Sequence, residues 1–132
     1  MTRPEINTIA PSFIVHNAAA AVAFYRDQLG FDVIFQEPAQ DPFFAIVSRD
    51  SAMLFVKAVG VDPVPNHTRH PWARLDAYVS VPDPDALATE FASRGVTFSV
   101  PLKDTDDGLR GFELKDPDGY TLFFGRPRNR SH

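Results

Sequence analysis

Cysteine is absent from the 132-residue chain. That excludes a disulfide framework, a thiolate zinc site, an iron–sulfur cluster and a cysteine nucleophile. Long apolar runs are also missing. The longest covers residues 18–24, far short of the roughly 20 residues a spanning helix needs. The opening residues, Met1-Thr2-Arg3-Pro4-Glu5, lack the apolar core of a secretory signal. These absences predict a soluble, cytoplasmic domain with no membrane partner. No excess of positive charge is present either: 13 basic against 17 acidic side chains give a formal charge of −4. Arg126, Arg128 and Arg130 crowd the end, so the preceding body carries ten basic against seventeen acidic groups. Duplex binding needs clustered Lys and Arg, so nucleic acid is not an expected partner. An acidic body mildly favours a cationic ligand, although ordinary solubility charge reads the same way.

The hydrophobic fraction is 44%, and a chain of this size buries about two-thirds of its unfolded surface. A single domain, residues 1–132, is therefore expected. Twelve phenylalanines and twelve prolines stand out. Core packing accounts for most of the rings, and the surplus suits a pocket lining.

The chain repeats itself. Asn17 precedes an Ala-rich helical stretch, residues 18–29, that ends at Gly30, and Asp83 precedes another, residues 84–94, that ends at Gly95. The starts lie 66 residues apart and the stops 65. Asn and Asp are N-cap residues, Pro84 sits where its missing N–H costs nothing, and both glycines suit a left-handed cap. Val22, Tyr25 and Leu29 form one sheet-packing stripe, and Leu87 and Phe91 another. A strand candidate precedes each helix (residues 12–16 and 76–81). Three follow each: residues 31–35, 43–48 and 52–57, then 96–100, 111–115 and 120–125. The tight turns at Asp50 and Asp116 are again 66 apart. Each half thus reads β-α-β-β-β, in an α+β fold. The first module covers about residues 10–58, the second about 74–125, with a tail at 126–132. Between them, residues 59–73 carry Pro63, Pro65 and Pro71, which predicts a linker or long loop. Halves this small are expected to share a core.

Tandem β-α-β-β-β modules, with Ala23-Phe24-Tyr25-Arg26-Asp27-Gln28-Leu29-Gly30-Phe31 after the first strand and Asp116-Pro117-Asp118-Gly119-Tyr120 before the last, resemble the vicinal-oxygen-chelate superfamily. That group contains glyoxalase I, extradiol dioxygenases, fosfomycin-resistance enzymes and bleomycin-resistance proteins. The resemblance implies two half-barrel sheets and a homodimer. In the enzymes each module gives two metal ligands, one from its first strand and one from its last. Those positions fall here at Ala10 (or Pro11), Phe55, Asp76 and Phe123. Three of the four offer no ligand atom, so no metal and no cofactor are expected.

The likeness to the bleomycin-resistance proteins, which bind their drug without altering it, rests on further residues. Pro11 falls at their hinge proline, after an arm that swaps onto the partner subunit. Phe44-Ala45 and Arg49 match their third strand, Asp83-Pro84-Asp85-Ala86-Leu87 their second helix start, and Arg110-Gly111-Phe112 the strand before the Asp-Pro turn. In that family two crevices at the dimer interface hold the drug's flat aromatic end between rings. The resemblance therefore implies binding and sequestration of a planar, cationic antibiotic of the bleomycin class or a related aromatic metabolite. The ligand contacts it points to are Phe44, Phe55, Trp72, Tyr78, Arg110, Phe112 and Phe123. No catalytic residue is assigned. Core packing is the alternative for Phe44, Phe55, Tyr78 and Phe123, and a carboxylate partner or a solvated strand position for Arg110. Two other functions remain open. One is a lyase, isomerase or dioxygenase with an atypical metal site, using Asp76 with His16 or His70 for proton transfer. The other is a sensor subunit that docks through its Arg-rich tail. His67 and His70 sit three apart among prolines, a spacing that suits a structural or solvent role.

Overall fold

Two four-stranded sheets, each carrying one helix, account for residues 3–128, the part of the chain described by a computed structural model. Arg130 and His132 of the tail lie outside the described residues. The first sheet contains β1 (Ser12–Ile14), β2 (Asp32–Glu37), β3 (Phe44–Arg49) and β4 (Ala52–Lys57) in the order β1-β4-β3-β2. The second contains β5 (Ala77–Ser80), β6 (Phe98–Asp104), β7 (Leu109–Lys115) and β8 (Thr121–Pro127) in the order β5-β8-β7-β6. In each sheet the strand before the helix runs parallel to the last strand, and the other pairings are antiparallel. The sequence repeat is therefore a repeat of topology, and the α+β reading with tandem β-α-β-β-β modules holds.

Both helices begin as their caps dictate. Asn17 Oδ1 accepts from Ala20 N at 2.9 Å to open α1 (Ala18–Ala23), and Asp83 Oδ1 accepts from Ala86 N at 3.0 Å to open α2 (Pro84–Ser93). The first helix departs from the expected 18–29 α-helix. After Ala23 it widens into a π-helical turn, Phe24–Gln28, closed by Leu29 N donating to the Phe24 carbonyl. Such wide turns carry no hydrophobic signature, because residues three and four apart still share the buried side. The strand after the second helix runs to Asp104, beyond the expected residue 100. Pro101 inside it cannot donate to a ladder. It is tolerated because β6 is an edge strand whose register slips between Phe98, Val100 and Lys103.

One core serves both modules. Ala45, Val47, Leu54 and Val56 from the first sheet and Phe112, Leu114, Leu122 and Phe124 from the second are buried with Val22, Tyr25, Leu29 and Phe91 from the helices. The Asp116–Tyr120 turn joins the halves. Phe13 stacks on Tyr120 at 4.1 Å between centroids, and the Tyr120 hydroxyl donates to the Ile14 carbonyl at 2.6 Å. His16 N donates to Asp118 Oδ1 at 2.9 Å. At the other end Arg49 makes a two-pronged pair with Glu90, both contacts at 2.9 Å, and Arg94 shares that carboxylate.

Asp116 is the buried centre of this junction. It accepts from the Tyr25 hydroxyl at 2.7 Å and from the Asp118 and Tyr120 amides at 2.9 Å. Loss of water outweighs those donors, and the carboxyl is pushed up to about 6. The folded chain holds this proton more tightly than the unfolded chain, where an aspartate titrates near ~3.9. Its contribution to stability is therefore full below about pH 4 and is lost as the pH rises through about 6. Asp116→Asn keeps the acceptor without the charge. Its stability relative to the parent is expected to grow by on the order of 2 kcal/mol between pH 4 and pH 7, read from urea midpoints. A constant difference across that range would show that the burial penalty is relieved by other means.

Candidate ligand-binding site

Alternation along the strands leaves each sheet with a second face, turned away from the core. On the first sheet this face carries Phe44, Ile46 and Phe55, with Phe35 more exposed beside them. Phe44 lies 6.0 Å from Phe35 and 5.8 Å from Phe55 between ring centroids. On the second sheet the corresponding face carries Tyr78 and Phe123, which are paired across β5 and β8 and stack at 5.6 Å with an interplanar angle of 21°. Tyr78 is 44% exposed, whereas Phe123 is 5% exposed. The family resemblance pointed to these four rings; Phe44, Phe55 and Tyr78 are partly exposed on the faces turned from the core, and Phe123 is buried on the same face as Tyr78.

Phe123 owes its position to two glycines. Gly111 and Gly125 pair directly across β7 and β8, and the Phe123 ring lies over them. A Cβ built on Gly125 would stand 2.5 Å from Phe123 Cε2 and 2.6 Å from the Arg110 carbonyl oxygen. One built on Gly111 would collide with the Phe124 carbonyl oxygen. The missing side chains let the ring fold flat against the sheet.

Directly across the strands from Phe123 lies Glu113. Its side chain is only 4% exposed, and both of its oxygens take the same nitrogen of Arg74, at 2.6 and 3.1 Å. A cavity of about 520 Å³ opens over this face, with Phe123, Glu113, Arg74, Val100 and Lys103 in its walls. Glu113 and Arg74 were not singled out from sequence. A signal was available for the first: in the stretch Gly111-Phe112-Glu113-Leu114, burying Phe112 and Leu114 turns Glu113 to the other face. Nothing marks Arg74, whose role depends on where the loop places it.

The remaining expected contacts stand elsewhere. Phe112 is fully buried in the core, stacked on Phe98 and Phe124, so it does not reach the open face. Arg110 turns to the helix side, where it binds Asp85 at 2.9 and 2.7 Å and Asp104 at 3.1 Å. Those two carboxylates raise its pKa, and the Arg110 guanidinium in turn holds Asp85 below the usual carboxylate range. Both placements follow from strand alternation, which the likeness in the Arg-Gly-Phe stretch did not take into account. Trp72 projects from the loop before β5, 89% exposed, with its amide donating to His70 Nδ1 at 3.1 Å. His67 packs onto the Asp116 turn, with Nε2 3.1 Å from the Gly119 carbonyl oxygen. Pro11 closes the segment before β1, its carbonyl accepting from Phe55 N at 3.0 Å, and the residues before it leave Ile6 and Ile9 exposed.

The profile of the Glyoxalase/Bleomycin resistance protein/Dioxygenase superfamily matches residues 5–124. The chain belongs to this superfamily. Among solved structures it is similar to the bleomycin-binding protein from bleomycin-producing Streptomyces verticillus complexed with copper(II)-bleomycin, at 26% identity and a TM-score of 0.68. That match covers 96% of this chain and 100% of the other. TioX from Micromonospora sp. ML1 matches at 21% identity and a TM-score of 0.72, over 91% and 98% of the two chains. TnmS3, an antibiotic binding protein from Streptomyces sp. CB03234, matches at 24% and 0.65, over 96% and 98%. No curated protein gives a significant match.

As a superfamily member the chain departs from the metal-binding pattern. Ala10 (or Pro11), Phe55 and Phe123 bring no donor side chain to the ligand positions. Asp76 spends both oxygens on backbone amides, Oδ1 accepting from Asn66 N at 2.9 Å and Oδ2 from Thr121 N at 2.8 Å. These two bonds tie the loop to β8. Among the described residues no group of three His, Asp or Glu could hold a metal ion. The residues present do not fit the family's metal. Among the described residues no helix is long and apolar enough to cross a membrane.

Proposed function

We propose that the protein binds and sequesters a planar, cationic antibiotic of the bleomycin class, or a related aromatic metabolite, as a homodimer and without a metal. The observation that carries this reading is the Tyr78–Phe123 stack beside a buried carboxylate, in the place where the superfamily's enzymes keep metal ligands. A flat ligand on such a stack gains about 0.5–1.5 kcal/mol beyond its buried area, and a cation over a ring about 0.5–2 kcal/mol. The bleomycin complex of the similar Streptomyces verticillus protein supports the ligand class.

Two features support a second copy. Phe35, Phe44 and Phe55 leave an apolar patch on the first sheet that soluble proteins normally cover. The exposed Ile6 and Ile9 on the arm before Pro11 suit burial against a partner subunit. Facing sheets from two protomers would then close each crevice, bringing Phe44 and Phe55 of one chain toward Tyr78 and Phe123 of the other.

Calorimetric titration of metal-stripped protein with bleomycin, repeated with an unrelated planar aromatic, tests the reading. Submicromolar binding at one site per chain is expected, with a loss of at least about tenfold in Tyr78→Ala, in line with the stacking energy. Absence of heat with both ligands would overturn it, as would purification with one tightly held divalent metal per chain. Light scattering at micromolar concentration should give the mass of a dimer, and a monomer would remove the two-copy crevice.

A further inference from the structure

We propose that Glu113 selects the ligand by accepting from a cationic N–H group that the flat ligand carries, with Arg74 filling that place in the free protein. The inference rests on the binding role above and names the group that sets its selectivity. Glu113 is on a central strand of the second sheet, opposite Phe123 and on the same face. A ring resting on the Tyr78–Phe123 stack therefore brings its substituent to this carboxylate. A carboxylate buried to this degree is costly unless paired. It has room for about four hydrogen bonds, yet it receives one nitrogen, shared between its two oxygens.

The one partner is poorly fixed. Arg74 comes from the loop between the 3-10 turn Asn66–Thr68 and β5, not from a strand. Its side chain is 58% exposed, and among the described residues Glu113 is the only acceptor it meets. A guanidinium tethered this way can swing to solvent when another cation arrives. The buried charge then stays paired throughout, and the exchange exposes no lone carboxylate. A ligand without a donor cannot replace Arg74, and an anionic one meets the Glu113 charge. The cavity over this face, about 520 Å³, leaves space for the incoming group beside the ring.

Fluorescence titration with three probes that share one ring tests this: 1-naphthylmethylammonium, 1-naphthalenemethanol and 1-naphthoate. The parent protein is expected to bind the ammonium form at least tenfold tighter than the alcohol, with the carboxylate weakest. In Glu113→Gln the ammonium-to-alcohol preference should fall below threefold. In Arg74→Ala it should rise severalfold, because no resident cation has to be displaced. A preference that survives Glu113→Gln overturns the proposal. So does tightest binding of 1-naphthoate, which would make Arg74 and Lys103 an anion subsite. Should Glu113→Gln fail to fold, Arg74→Ala decides, and no gain or a loss there overturns the proposal. If none of the probes binds the parent protein although bleomycin does, this inference fails and the binding role stands; if bleomycin gives no heat either, both fail. Equal binding of all three defeats the inference alone.

Discussion

Phe112→Ala is expected to lower the unfolding free energy by about 3–5 kcal/mol, the usual range for removing a fully buried aromatic ring. The Phe112 ring is walled by other rings, at 4.7 Å from Phe98, 5.4 Å from Phe124 and 5.8 Å from Phe91. Those neighbours come from β6, β8 and α2, three elements each held by its own hydrogen bonds, so the space left behind cannot close by local repacking. The loss should appear as a lower urea midpoint with an unchanged slope. Affinity measured where the variant remains folded separates the core role from a ligand contact. A stability change under about 1 kcal/mol together with a collapse in affinity would return Phe112 to the binding site.

Gly125→Ala is expected to cost about 3 kcal/mol, at the upper end of overpacking penalties, and to weaken ligand binding as well. The backbone conformation at this position is ordinary, so the cost is steric. The new methyl group meets the Phe123 ring at 2.5 Å and the Arg110 carbonyl oxygen at 2.6 Å. The ring can turn away, but the carbonyl belongs to the neighbouring strand and cannot move without parting β7 from β8. Either adjustment disturbs the surface on which Tyr78 stacks. Urea midpoints and the calorimetric titration read the two effects separately. A variant within about 1 kcal/mol of the parent and with full affinity would mean that the ring is not held by the glycine pair.

The fold was legible because each half announces the same punctuation. Asn17 and Asp83 cap, Gly30 and Gly95 stop, and Asp50 and Asp116 turn at matching intervals. These are local signals, set by backbone conformation and short-range hydrogen bonds, and they survive without tertiary information. The widening of the first helix at Phe24 was not legible, because its residues show the same buried side in either geometry. Phe44, Phe55, Tyr78 and Phe123 come from the family likeness carried over by strand register, and alternation places them on the faces turned from the core. For Phe112 the family likeness and strand alternation disagree, and alternation decides: Phe112 and Phe124 face one way, and Glu113 and Phe123 the other. Arg74 lies beyond sequence reasoning, because its meeting with Glu113 spans 39 positions and depends on the path of a proline-rich loop.

The junction at the Asp116 turn also bears on how the chain can be made. Its three hydrogen bonds join residues 91, 102 and 106 positions apart. Each closes only after the Asp116–Tyr120 turn of the second module has left the ribosome. Until then a nascent first module holds Phe13 and Tyr25 without Tyr120 and Asp116 to receive them. Completion of the first half therefore waits on synthesis of the second, and chains truncated before Asp116 become clients for chaperones and proteases.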